Sequence, residues 1–134
     1  MTRKANGLSL VELLIVILVL AVAAAVGYPR YMEQVQKSRR NDAQGVLLAL
    51  ANEIEQHRAV QPNVGYSGFA IDDFSEIWSS INASYLFSVT LSSVTPFFYV
   101  LTAAPTGPQT GDRCGDLVLN ESGEKAAAQA NCWK

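Results

Sequence analysis

Glu12 stands near the head of an apolar run, "LSLVELLIVILVLAVAAAV", residues 8–26, and residues 13–28 carry no charge at all. A carboxylate at the centre of a membrane-spanning helix costs on the order of 2.5 kcal/mol or more, and less near the helix end. Three kinds of chemistry fit such a residue. Ser9 and Glu12 make an S-x-x-E capping box, which satisfies amide donors where a helix begins. The basic leader residues Arg3 and Lys4, followed by apolar residues containing "AVA" and "AAA", fit a cleaved secretory signal, although the acid disfavours it. The third is a contact between molecules, in which the carboxylate meets a positive group of another chain inside the membrane.

The remaining reactive side chains offer less. Cys114 and Cys132 are the two cysteines; they form no CxxC pair and stand far from the lone His57. A single disulfide in an oxidising compartment is their default reading. His57, between Gln56 and Arg58, reads as a solvated or capping residue. Asp112 and Asp116 flank Cys114, but calcium requires roughly six to eight oxygens and no EF-hand spacing is present, so neither metal nor cofactor is expected. Asn82-Ala-Ser84 and Asn120-Glu-Ser122 are triplets of a kind that recurs by chance. No nucleophile elbow, phosphate loop or acid–base pair is visible, so no enzyme is expected.

The elements that must position these groups follow from periodicity. A helix is expected from Leu8, apolar through Val26 and broken in character by Gly27, Tyr28 and Pro29. It then continues with one stripe, Ala43, Val46, Leu47, Leu50 and Ile54, at spacings of three and four. Pro29 should kink it, because proline lacks the amide donor and clashes with the preceding turn. "VQPNVGYSG" ends it. In the connection, "DDFSEIWSSI" reads as a short helix opened by Asp73 with Glu76 three residues on.

Residues 85–92, 97–104 and 117–120 read as strands, followed by a turn at "ESGE", while "KAAAQAN" from Lys125 has no strand pattern. Three consecutive strands imply an antiparallel meander whose apolar face needs the Ala43–Ile54 stripe as cover. The "KSRR" run, Lys37 to Arg40, reads as a solvated helix face or a headgroup contact. Among 134 residues of net charge −2, residues 61–134 hold three basic and seven acidic side chains. That balance is opposite to a nucleic-acid-binding head, so no direct nucleic acid contact is expected.

"KANGLSLVELL" resembles the class III leader junction of type IV pilins and pseudopilins, in which a glycine precedes the cut and a glutamate is the fifth mature residue. Gly7, Leu8 and Glu12 occupy those positions, with Leu8 where phenylalanine is usual. The resemblance implies that a prepilin peptidase cuts after Gly7 and methylates the amine of Leu8, and that Glu12 neutralises the amino terminus of a neighbouring subunit. Pro29 falls where these pilins carry a helix-kinking proline. "CGDLVLNESGEKAAAQANCW", with Cys114 and Cys132 at its ends, is similar to the disulfide-bounded tail of PilE-type minor pilins of type IVa pili.

What the resemblance implies is an α+β type IV pilin fold. A long kinked N-terminal helix, half membrane and half amphipathic, packs on a small antiparallel meander with a C-terminal disulfide region. The expected divisions are 1–7 leader, 8–28 membrane or filament-core half, 29–60 amphipathic half, and 61–134 connection, sheet and disulfide region. The implied function is that of a minor pilin supporting pilus assembly, adhesion, twitching motility or DNA uptake. It would be held in the bacterial inner membrane with its N-terminus cytoplasmic and then displayed in the extracellular pilus. Implied partners are other pilin subunits in a homo- or hetero-polymer, the prepilin peptidase and the inner-membrane assembly platform. The basic residues flanking the span do not by themselves favour that orientation. Two alternatives stay open: a pseudopilin of a type II secretion system, and a monomeric membrane-anchored periplasmic binding module in which Glu12 is replaceable and Gly7 is not cut.

Overall fold

A computed structural model describes residues 9–92 and 97–133. The chain divides into two compact units, Met1–Val35 and Gln36–Lys134. Helix α1, Leu10–Val60, contributes to both. Its first backbone bond runs from the Leu13 amide to the Ser9 carbonyl, which gives Ser9 the backbone role of an N-cap. The helical assignment continues through Pro29.

In the first unit the apolar side chains from Leu10 to Val26 are exposed all round the helix. Among the described residues no face of this stretch is buried, which is the pattern of a helix meant for lipid or for other helices. It is long and apolar enough to cross a membrane.

In the second unit α1 supplies the expected stripe: Ala43, Leu47, Leu50 and Ile54 are fully buried and Val46 nearly so. Their cover is a four-stranded antiparallel sheet in sequence order: β1 Tyr85–Leu91, β2 Tyr99–Pro105, β3 Leu117–Asn120 and β4 Lys125–Ala126. Alternation along each strand turns Tyr85, Phe87, Leu101, Ala103, Leu117 and Leu119 inward. Each fully buried leucine contributes about 1.5–3 kcal/mol relative to exposure. Tyr66 and Phe69, from the connection, close the end of this core, with Tyr66 edge-on to Tyr99 at 4.9 Å between ring centres.

Several expectations are corrected. The short helix is a 3-10 helix, Ile71–Trp78, and its N-cap is Ala70 without a side-chain cap bond, so Asp73 does not open it. Phe74 has φ −111° inside it and stacks on Phe69 at 5.1 Å; that ring packing accompanies a break in the helical geometry. The second strand starts at Tyr99 rather than residue 97, and Phe97 lies instead under the Arg58 guanidinium, 5.8 Å from its ring centre. "KAAAQAN" does contribute a strand, the two-residue β4, whose pairing Val118 to Ala126 uses the side of β3 turned away from β2. Pairing with β3 supplies what local propensity lacks.

Candidate assembly site

The first candidate surface is the exposed half of α1. Glu12 lies in its first turn, exposed, among Leu10, Val11, Leu13 and Leu14, which are all more than half exposed. Among the described residues, Glu12 has no ion pair with a positive group of its own chain. Gly7 and Leu8, the expected cleavage and methylation positions, lie outside the described residues. Pro29 sits inside the helix, where its missing N–H removes one rung of the hydrogen-bond ladder.

The second candidate is the joint between α1 and the disulfide region, all within the second unit. Cys114 and Cys132 are bonded, with Cα atoms 5.7 Å apart, and both are buried. Around them lies a polar network that sequence reasoning missed. Arg40 donates from Nε to Oδ2 of Asp112 at 3.0 Å and from an Nη to Oδ1, a bidentate ion pair. Gln109 Nε2 donates to Asp112 Oδ2 at 2.8 Å, to the carbonyl of Gln36 at 3.0 Å and to the hydroxyl of Tyr85 at 3.3 Å. The Tyr85 hydroxyl in turn donates to Asp112 Oδ2 at 3.3 Å. The amide of Cys114 donates to Asp112 Oδ1 at 3.1 Å, which ties the network to the disulfide. Gln44 Nε2 donates to the carbonyl of Cys132 at 2.6 Å.

This corrects the reading of "KSRR" as a solvated face at Arg40, which is 8 % exposed, whereas Lys37 and Ser38 are exposed as expected. It also removes Asp112 from any calcium reading: its oxygens are occupied, and no cluster able to hold a metal occurs among the described residues. Burial pushes the Asp112 carboxyl up, but the bonds from Arg40, the Cys114 amide and Gln109 outweigh it and hold the group below its ordinary value. Burial, aided by the Asp112 charge, pushes the Tyr85 phenol up to about 12. A pair this dry holds geometry more than it adds net stability, while losing one partner costs about 3–5 kcal/mol. One signal for Arg40 was present in the sequence: it stands three residues before Ala43 and seven before Leu47, in phase with the apolar stripe.

The other singled-out residues have modest roles. His57 Nε2 lies 3.3 Å from the Ser67 carbonyl and its ring is edge-on to Phe69, so it ties the end of α1 to the connection. Trp133 covers the apolar surface beside β4, donating from its indole to the Ala126 carbonyl at 2.8 Å, with Lys125 Nζ 5.3 Å from its ring centre. Asn120 accepts from Ser122 and Glu124 in a tight turn, which accounts for that triplet without any modification.

A family model described as type IV minor pilin ComP, DNA uptake sequence receptor, matches residues 29–118. The prokaryotic N-terminal methylation motif matches residues 2–28. Among solved structures, a crystal structure of the non-core minor pilin PilV of Neisseria meningitidis resembles this one with a TM-score of 0.51 and 24% identity. The likeness covers 73% of this chain and 91% of that chain, and at that identity it speaks for the fold. None of the curated proteins compared with the chain matches it.

Proposed function

The chain belongs to the family of type IV minor pilins whose model spans residues 29–118, and from that membership we propose how it enters the filament. As a minor pilin with the methylation motif at its start, it is anchored in the membrane by its N-terminal helix and becomes part of an extracellular type IV pilus. That membership favours the pilus over the secretion pseudopilin and over the monomeric binding module.

The prepilin peptidase cuts after Gly7 and methylates Leu8. Residues 8–28 form the membrane and filament-core segment, kinked at Pro29; residues 29–60 carry the head, and residues 61–134 complete it. The assembly platform then passes the subunit to neighbouring pilins, and Glu12 offsets a neighbour's amino terminus. An amine and a carboxylate, each costly alone in hydrocarbon, become tolerable as a pair, so the assembled state gains over the membrane pool. The observation that carries this reading is Glu12 itself, a carboxylate in an apolar helical surface that the chain leaves exposed on every side. Intact mass of the membrane-extracted protein tests it. The expected product begins at a methylated Leu8 and retains 134 − 7 = 127 residues; a chain starting at residue 1 or near Ala25 overturns it.

The matching family's description names a DNA uptake sequence receptor, which raises direct DNA contact as a second reading. For this chain the charges argue against it. Residues 61–134 are net −4, Arg40 is consumed by Asp112, and Arg58 pairs with Glu55 at 3.4 Å. A phosphate-tracking surface needs the reverse. We therefore assign any part in DNA uptake to the filament rather than to this head. Gel shift of the detergent-solubilised chain with duplex DNA at low salt should show no complex; a complex that dissolves steeply with salt would restore the receptor reading.

A further inference from the structure

The two edges of the sheet differ. β4 is two residues long, whereas β1 runs seven residues in unbroken register with β2, from Tyr85 opposite Pro105 to Leu91 opposite Tyr99. The Thr106 amide donates to the Ser84 carbonyl at 2.9 Å and the Ser92 amide to the Phe98 carbonyl at 3.1 Å. In an antiparallel ladder hydrogen-bonded pairs recur at every second residue. The residues of β1 that bond to β2 are therefore Leu86, Ser88 and Thr90. The backbone groups of Tyr85, Phe87, Val89 and Leu91 point to the other side. The Tyr85 amide is satisfied by the Ile81 carbonyl at 3.1 Å. For Phe87 and Val89, in the middle of the strand, no bond on that side is found among the described residues.

Edges of this kind are ordinarily blunted by lysine, proline, a bulge or a covering element. β1 has no proline and no bulge, and residues 77–111 contain no Asp, Glu, Lys, Arg or His. Its outward side chains, Leu86 (64 % exposed), Ser88 and Thr90, are uncharged and exposed.

We propose that the outer edge of β1 is a docking edge that takes an uncharged extended segment of a neighbouring pilin subunit as an added strand. The inference rests on the assembly reading above, which supplies the occupant: in a filament the proteins held permanently against this head are pilins. The segment should be uncharged, because Leu86, Ser88 and Thr90 beside the edge offer no opposite charge for it to meet. An edge without charge also gives no long-range steering, which suits a neighbour already held at high effective concentration better than a partner captured from solution.

Three full-length variants produced in piliated cells test this. Val89→Pro removes one outward donor and leaves the bonds of Ser88 and Thr90 to β2 in place, a substitution edge strands tolerate. Thr90→Lys sets a charge beside the edge on an exposed side chain. Val100→Lys, on β2 opposite Thr90 and itself exposed, is the control. The amount in sheared filaments relative to the membrane pool is measured, with an intact Cys114–Cys132 bond as the sign of a folded head. The two edge variants should fall by roughly tenfold, as loss of one or two net hydrogen bonds implies, while Val100→Lys stays at wild-type level. If Val89→Pro fails to fold, Thr90→Lys decides. Wild-type levels of the folded edge variants, or an equal fall in all three, overturn the proposal. Absence of the wild-type protein from filaments overturns instead the assembly reading on which it rests.

Discussion

At the scale of single residues, the head depends on a few positions with no freedom. Asp112 accepts from Arg40, Gln109, Tyr85 and the Cys114 amide, so Asp112→Asn leaves a buried guanidinium without a counter-charge. The expected loss is about 3–5 kcal/mol, seen as a lowered melting temperature of the full chain in detergent. The sign of the pH effect follows from the lowered carboxyl. The stability it contributes is fully present above its ordinary value of 3.8 and is lost as pH falls through the lower folded value. Below about pH 4 the wild type should therefore lose stability more steeply than Asp112→Asn; parallel acid profiles would mean that Asp112 does not carry the effect. Gly107 is equally constrained. Its φ is +49°, and a Cβ there would lie 2.7 Å from the Ala83 carbonyl oxygen. Gly107→Ala should cost about 1–3 kcal/mol in the same melts, because the chain must hold this turn to deliver Gln109 to the network.

At the scale of elements, the disulfide joins parts that local structure would not hold together. β4 is two residues long, and the tail beyond it is fixed by few backbone bonds, among them Ala128 to the Cys114 carbonyl at 3.0 Å. The bond closes a separation of 18 residues, worth roughly 3 kcal/mol in the chain-entropy model. Reduction should raise hydrogen exchange first across residues 114–133 and leave the buried stripe of α1 protected, since Leu47, Leu50 and Ile54 are held by the sheet rather than by the bond. Unchanged exchange in the C-terminal segment would show the bond to be structurally idle. Gln44 on the helix, donating to the Cys132 carbonyl, is expected to lose its partner in that transition.

At the scale of the molecule, one helix carries two unrelated tasks. Its first half is exposed and apolar for contacts with lipid and other subunits; its second half is the spine of the head. Glu12→Gln separates the tasks. The variant should remain in the membrane, with an unaltered head and disulfide, yet appear in sheared filaments at a level reduced by roughly tenfold, because a neutral amide cannot offset a neighbour's amine. Equal incorporation of variant and wild type would remove charge pairing from the account of assembly while leaving the head's packing untouched.

Local pattern alone was enough for much of this. The apolar run with Glu12, the stripe from Ala43 to Ile54, the alternation in β1 and β3 and the two cysteines each announce themselves within a few residues. Periodicity reports which face a segment must bury, so helix, meander and cover could be read without coordinates. What the sequence left hidden depends on partners far along the chain. Arg40 looks like one more surface cation until Asp112, 72 residues later, is folded against it. Residues 125–126 look like coil until the far side of β3 offers them a ladder, and the outer edge of β1 is defined only once β2 fixes which of its backbone groups turn outward. Propensity and spacing are short-range quantities, whereas the burial of a charge and the pairing of a strand are settled by whatever the tertiary fold brings alongside.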